Sequence, residues 1–139
     1  RLRPHVKTHK MPELARMQLR HGITRFKCAT IAEAEMLAGC GAPDVLLAYP
    51  CVGPTVLRLV SLIQTFPDTR FRTLADDPDA LRALSDAASR WLPGRPVDVL
   101  IDLDTGMGRT GIAPERADDL YRLLASLPGL TPGGLHAYD

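Results

Sequence analysis

Charge of one sign is what this chain most conspicuously lacks. Its 17 basic and 16 acidic residues leave a formal net charge of +1. A near-neutral balance gives no electrostatic footprint for nucleic acid or for an anionic membrane. Long apolar runs are also missing. None approaches the roughly 20 residues of a spanning helix. The three cysteines, Cys28, Cys40 and Cys51, form no C-x-x-C pair. Their odd number argues against a disulfide framework and fits a reducing, cytoplasmic compartment. Aromatic residues are few, at 5% of the chain, and proline is generous, with 12 residues. The sequence opens without an initiator methionine and inside a strand-like stretch. It is expected to be part of a longer protein.

Strand and helix signals alternate along the chain. Arg3–Lys10 reads as an opening strand, with Leu2, Pro4 and Val6 on one face and Arg3, His5, Lys7 and His9 on the other. Pro12 suits a first helical turn, followed by Leu14, Met17 and His21 at helical spacing, and Gly22 is a stop. Thr24–Ala29 reads as a short strand. Thr30-Ile31-Ala32-Glu33 has the form of a capping box. Asp44–Tyr49 is a near-continuous apolar run, as expected for a strand covered on both faces. Pro54 opens a helix, Arg70–Ala75 is a strand, and Asp77-Pro78 starts a helix with Leu81, Leu84, Ala88 and Trp91 on its stripe. In Val97–Asp104, Val97, Val99, Ile101 and Leu103 alternate with Asp98, Leu100 and Asp102. Pro114-Glu115 starts the last helix, and Gly134–Tyr138 reads as the last strand.

About six strands alternating with five helices predict parallel βα units. An open doubly wound sheet and a barrel both fit that order. Polar and aromatic groups gather where strands end: Lys7, Thr30, Tyr49, Asp76, Asp104 and Tyr138. A rim supplied by many strands favours the barrel over a sheet with one switch point. The expected fold is therefore α/β: a parallel (β/α)8 TIM-type barrel, incomplete over residues 1–139.

Lys7 is the first candidate for chemistry. It stands among Arg3, His5, His9 and Lys10. Like charge and desolvation favour the neutral form of an ammonium. A neutral amine attacks carbonyl carbon, which makes this a candidate Schiff-base lysine. A solvated basic strand is the plain alternative. His5 and His9 would lie on one face but roughly 13 Å apart, too far to share an ion. Support for Lys7 is the better reading of that pair.

Gly106-Met107-Gly108-Arg109-Thr110-Gly111 matches G-x-G-x-x-G, but Pro114 places the helix beyond the last glycine. The helix N-terminus then cannot face a pyrophosphate. A rim loop presenting Arg109, whose planar fork suits a carboxylate or phenolate, fits better. Asp104-Thr105-Gly106 imitates an aspartic-protease triplet, which the βα alternation contradicts. Asp102 and Asp104 share a face and are expected near Arg109, as an ion pair or in a functional role. The cysteines read as buried and inert.

Four stretches fall in order and at suitable spacing: Arg3-Pro4-His5-Val6-Lys7-Thr8-His9-Lys10; Cys28-Ala29-Thr30 with Glu33-Ala34-Glu35; Asp104-Thr105-Gly106-Met107-Gly108-Arg109-Thr110-Gly111; and Gly134-Leu135-His136-Ala137-Tyr138-Asp139. Together they resemble the D-threonine aldolase and D-serine dehydratase-like family. This is a branch of the alanine racemase-type enzymes that bind pyridoxal 5′-phosphate (PLP) in a barrel. The resemblance implies that Lys7 carries PLP and that Arg109 stands beside the cofactor phenolate and the substrate carboxylate. It implies that Tyr138 lines the cofactor pocket and that His5 belongs to the lysine motif. It further implies a C-terminal, mostly β domain absent from this chain, which would hold a divalent metal, Mn or Zn. The implied activity is cleavage of D-configured β-hydroxy amino acids, aldolase first. A dehydratase, an amino-acid racemase and a non-catalytic PLP carrier are the alternatives. The implied partner is a small D-amino acid, with homodimer formation left open.

Overall fold

The computed structural model describes residues 2–138. Five helices alternate with five strands in chain order: α1 (Pro12–Arg20), β1 (Arg25–Cys28), α2 (Ile31–Gly39), β2 (Asp44–Pro50), α3 (Pro54–Thr65), β3 (Arg70–Ala75), α4 (Pro78–Trp91), β4 (Val97–Asp104), α5 (Ala117–Ser126) and β5 (Leu130–Tyr138). All neighbouring strands pair in parallel, in the order β1-β2-β3-β4-β5. Each strand therefore lies beside the next in sequence, as short βα connections favour.

Local chemistry sets the boundaries. Pro12, Pro54 and Pro78 occupy first helical turns, where the missing N–H costs nothing. Asp77 caps α4 by accepting from the backbone N–H of Asp79 and Ala80, both at 2.9 Å. The capping box of α2 forms with a shift of one residue. Thr30 Oγ1 accepts from Glu33 N, and Glu33 Oε2 accepts from Ala29 N at 2.8 Å. Pro114–Arg116 makes a 3-10 turn before α5.

The two faces of the sheet are sorted by the period of two. Phe26, Val45, Leu47, Phe71, Val97, Val99 and Ile101 point to the helices and join one continuous core with Leu37, Leu59, Leu81, Leu84 and Leu124. Each such side chain contributes roughly 1.5–3 kcal/mol on burial. The opposite face carries Lys27, Leu46, Arg72, Leu74, Asp98, Leu100, Asp102 and His136, aligned by the strand register.

The sheet is curled. β1 and β5 are its two edges, four steps apart, which is about 19 Å in a flat sheet. Yet Lys27 on β1 reaches His136 on β5, with Nζ and Nε2 2.7 Å apart. Only an arc bent as in a barrel wall brings those side chains together. The parallel (β/α) barrel expectation holds as this incomplete arc.

Some expectations need correction. The opening strand shrinks to one parallel bridge, His5 to Lys27. Val6–Thr8 is a 3-10 turn instead. His5 Nδ1 accepts from Lys7 N, while Val6 O accepts from His9 N and Lys10 N. Local side-chain bonding of this kind competes with a sheet ladder. The described residues therefore hold five strands rather than six. On α1 the fully buried residue is Ala15, whereas Met17 is exposed. Trp91 leaves the α4 stripe and stacks under Arg90, with Cζ 4.9 Å from the ring centroid. β5 starts at Leu130, before the expected Gly134, and a register shift between Val99 and Leu100 absorbs the extra length. Asp139, the end of the fourth motif, lies outside the described residues.

Candidate active site

The inner face ends in a rim at the C-terminal ends of the strands, and the candidate residues meet there around one ring. Lys7 Nζ lies 5.5 Å from the centroid of Tyr138, Lys27 Nζ 5.1 Å, and Arg109 Cζ 5.5 Å. Three cations thus converge from the turn after His5, from β1 and from the loop after β4. Each contact with an aromatic face contributes roughly 0.5–2 kcal/mol. The sequence reading predicted Lys7, Arg109 and Tyr138 together, and the structure places them together. His5 sits one turn from Lys7 and holds its backbone N–H at 3.2 Å.

Arg109 owes its position to a tightly pinned loop. The Asp104 carboxylate accepts from Gly106 N and Gly108 N, both at 3.0 Å. The Gly108 N–H, then the Gly106 N–H, hold that carboxyl below its ordinary value. Gly111 N donates to Asp76 Oδ2 at 2.8 Å, so a second strand end holds the loop. Ile112 rejoins β4 through bonds with Asp102 and Asp104. Gly111 has φ +106°, and a Cβ there would stand 2.5 Å from Asp104 N. No other residue fits without moving the strand end.

Asp102 and Asp104 do share a face, but among the described residues neither pairs with Arg109. Asp104 is spent on the loop. Asp102, 2% exposed, accepts from Thr110 Oγ1 at 2.9 Å, and its other oxygen lies 2.6 Å from His136 Nδ1. The expected ion pair is therefore replaced by a buried carboxylate–imidazole contact. His136 Nε2 continues to Lys27.

Lys27 and His136 were missed as site residues. Their alternation placed them on the inner face. What the pattern lacked was the curvature that joins positions 109 residues apart. Burial lowers the Lys27 pKa, Lys7 and Arg109 lower it further, and Asp102 opposes them. Burial likewise lowers the His5 pKa, helped by Lys7 and Lys27 and opposed by Glu33.

The other candidates serve local structure. His9 Nδ1 accepts from Met11 N at 3.0 Å. Lys10 pairs with buried Glu33 at 3.5 Å. Cys28 and Cys51 are buried free thiols, pushed up by desolvation. Such thiols are poor nucleophiles.

A barrel arc whose reactive groups cluster at the C-terminal rim defines a class of enzymes that bind their ligands at that end. The sequence profile of the family described as alanine racemase, N-terminal domain, matches residues 1–139, and the chain belongs to that family. A D-threonine aldolase of an Arthrobacter species is 33% identical over 141 residues, covering 99% of this chain and 35% of the relative. A D-threo-3-hydroxyaspartate dehydratase of a Delftia species is 32% identical over 135 residues, covering 97% and 34%. The crystal structure of D-threonine aldolase from Filomicrobium marinum superposes with a TM-score of 0.87 at 33% identity, covering 97% of this chain and 36% of that one. The chain thus spans about a third of the length of these relatives. No helix of the described residues is long and apolar enough to cross a membrane.

Proposed function

We propose that this chain is the lysine-bearing part of a PLP-dependent lyase. Its substrates are D-configured β-hydroxy amino acids, and its first activity is that of a D-threonine aldolase, giving glycine and an aldehyde. The observation that carries this reading is the convergence of Lys7, Arg109 and Tyr138 from three segments onto one rim.

The residues present suit the cofactor. Three cations face one aromatic ring, while the buried carboxylate close by is already engaged with His136 and Thr110. Such a set accepts an anionic, ring-bearing group with an aldehyde within reach of an amine. Lys7 would carry it, Arg109 would meet its phenolate oxygen, and Tyr138 would line its pocket. PLP, when bound, supplies an electron sink for the bond broken at the substrate Cα.

The chain's own residues do the rest. The Lys7 amine moves a proton at Cα or at the β-hydroxyl. Arg109 orients the substrate carboxylate through its planar fork. His5 fixes the backbone of Lys7 and so the angle from which the amine approaches. Among the described residues no three His, Cys, Asp or Glu side chains gather as metal ligands. A dehydratase is the second reading, favoured by the hydroxyaspartate dehydratase relative.

The test uses the full-length protein. Borohydride should fix PLP on the peptide containing Lys7, and Lys7→Ala should abolish both fixation and turnover. Glycine and acetaldehyde from D-threonine support the aldolase. Pyruvate from D-serine supports the dehydratase. Fixed cofactor with turnover of neither would point to a PLP carrier. Fixation surviving in Lys7→Ala would remove Lys7 from its role.

A further inference from the structure

We propose that Lys27, His136 and Asp102 form a proton relay across the inside of the curled sheet, with Lys27 as the end that presents the proton to the site. The three side chains come from β1, β5 and β4. They touch in series, at 2.7 Å from Lys27 Nζ to His136 Nε2 and 2.6 Å from His136 Nδ1 to Asp102 Oδ1. The last two are nearly sealed, with side-chain exposures of 11% and 3%.

The hydrogen-bond inventory limits what this chain can hold. Asp102 is acceptor-only as a carboxylate, so Nδ1 carries a hydrogen toward it. Between Nε2 and Nζ there is then one bridging proton. With one cation present, either the ammonium of Lys27 donates to a bare Nε2, or an imidazolium Nε2–H donates to the neutral amine. A doubly protonated imidazole facing an ammonium would put donor against donor. Both permitted forms have the same net charge, with one cation against Asp102. The proton can therefore move between Nε2 and Nζ without changing the charge buried in the arc.

The outward end of the relay is placed for use. Lys27 Nζ faces the same ring as Lys7 and Arg109. The charged and titratable groups around it are Lys7, Arg109, His5, Tyr138, Asp102 and His136. Burial and the two neighbouring cations ease its proton off, while Asp102 retains it. In the step assigned here, an Nζ–H bond breaks and the proton goes to an acceptor on the bound substrate. The electron pair stays on Nζ, and the relay passes from net zero to one negative charge. Nζ regains its proton from that acceptor or from water. Lys27 is thus the group that hands the proton to the substrate, and His136 and Asp102 are the positioning residues behind it. The Lys7 motif does not include Lys27.

Two independent arms test this on the full-length protein. Competitive acetylation across pH, read by peptide mass spectrometry, measures the titration of Lys27 whether or not cofactor binds. The expected result is reactivity at lower pH than an ordinary lysine, and at lower pH still in Asp102→Asn, which loses the anion favouring the ammonium. A Lys27 titration unmoved by Asp102→Asn and His136→Gln would overturn the relay. The kinetic arm rests on the reading of the Lys7 rim as the reaction site. Lys27→Arg keeps the cation but cannot give up a proton. It should lower kcat about a hundredfold with KM unchanged, and leave borohydride fixation at Lys7 intact. A Lys27→Arg enzyme with wild-type kcat would make Lys27 a fixed charge only and overturn the relay. Should the wild type itself fix no cofactor, the proposed function fails, and the labelling arm alone decides the relay.

Discussion

The two ends of the sheet's inner face carry similar residues and use them differently. At the N-terminal end, Arg3, Arg70 and Arg72 interlock with Asp44 and Asp98. Arg3 Nη1 lies 2.6 Å from Asp44, Arg72 Nη2 lies 3.2 Å from its other oxygen, and Arg70 and Arg72 share Asp98. At the C-terminal end, Lys7, Lys27 and Arg109 surround a ring, with one buried carboxylate beneath them. The lower cluster spends its charge on itself and ties β2, β3 and β4 to one another, with Arg3 also donating to the Phe26 carbonyl of β1. The upper cluster leaves ammonium and guanidinium donors facing outward. That division is what a barrel requires, with stability at the bottom and ligand chemistry at the top.

The largest separation of the two ends comes from Asp44→Ala. Asp44 is 13% exposed and Arg72 16%. Removing the carboxylate leaves Arg72 with only the longer, 3.9 Å contact to Asp98, and its Nε already lacks a hydrogen-bond partner. Breaking such a buried pair costs roughly 3 kcal/mol. Urea unfolding of the full-length protein should show that loss, while cofactor fixation at Lys7 survives. Lys7→Ala should do the reverse, leaving the unfolding midpoint in place. An Asp44→Ala protein that stays folded but loses cofactor would erase the distinction between the ends.

A smaller effect sharpens the upper end. Gly111→Ala puts a Cβ against Asp104 N at a backbone angle that L residues rarely adopt. Strain of this kind costs about 1–3 kcal/mol. The strain falls on the loop that aims Arg109. We expect a modest fall in stability with a larger rise in KM, measured on the same preparation. Stability lost at unchanged KM would show that the loop does not position Arg109.

The core and the element order were more legible in sequence than the contacts of either end. Alternation on β4 separates Val97, Val99 and Ile101 from Asp98, Leu100 and Asp102, and the structure keeps that division. Pro12, Pro54 and the Asp77-Pro78 cap marked the starts of their helices, whereas the last helix begins three residues after Pro114. Lys7, Arg109 and Tyr138 were named because each sits in a motif. Although His136 sits in the last of those motifs, its contact with Lys27 depends on curvature, which a period of two does not contain. The opening strand was misread for a related reason. Of its expected apolar face only Val6 is fully buried, while Leu2 is 74% exposed. The His5 and Val6 hydrogen bonds drew the backbone into a turn. Side-chain competition of that kind leaves no mark on an apolar/polar pattern.

The smallest effect concerns pH, and it separates two groups of the upper end, Asp104 and His5, by the window in which each acts. The Asp104 carboxyl is held below its ordinary value by the Gly108 and Gly106 N–H groups. A lowered folded value means that the unfolded chain binds the proton first as pH falls. The contribution of this cap is therefore whole above the ordinary carboxylate range and fades as pH drops through the lowered folded value. His5 acts earlier. Its folded value is also lowered, by burial and by Lys7 and Lys27. The unfolded chain then takes up a proton below the ordinary imidazole value while the folded one resists, so stability declines from there downward. His5→Gln should flatten the unfolding midpoint across the mildly acidic range, and Asp104→Asn should do so only in stronger acid. Identical pH profiles for His5→Gln and wild type would place His5 in water, away from Lys7 and Lys27, and the upper cluster would lose one of its members.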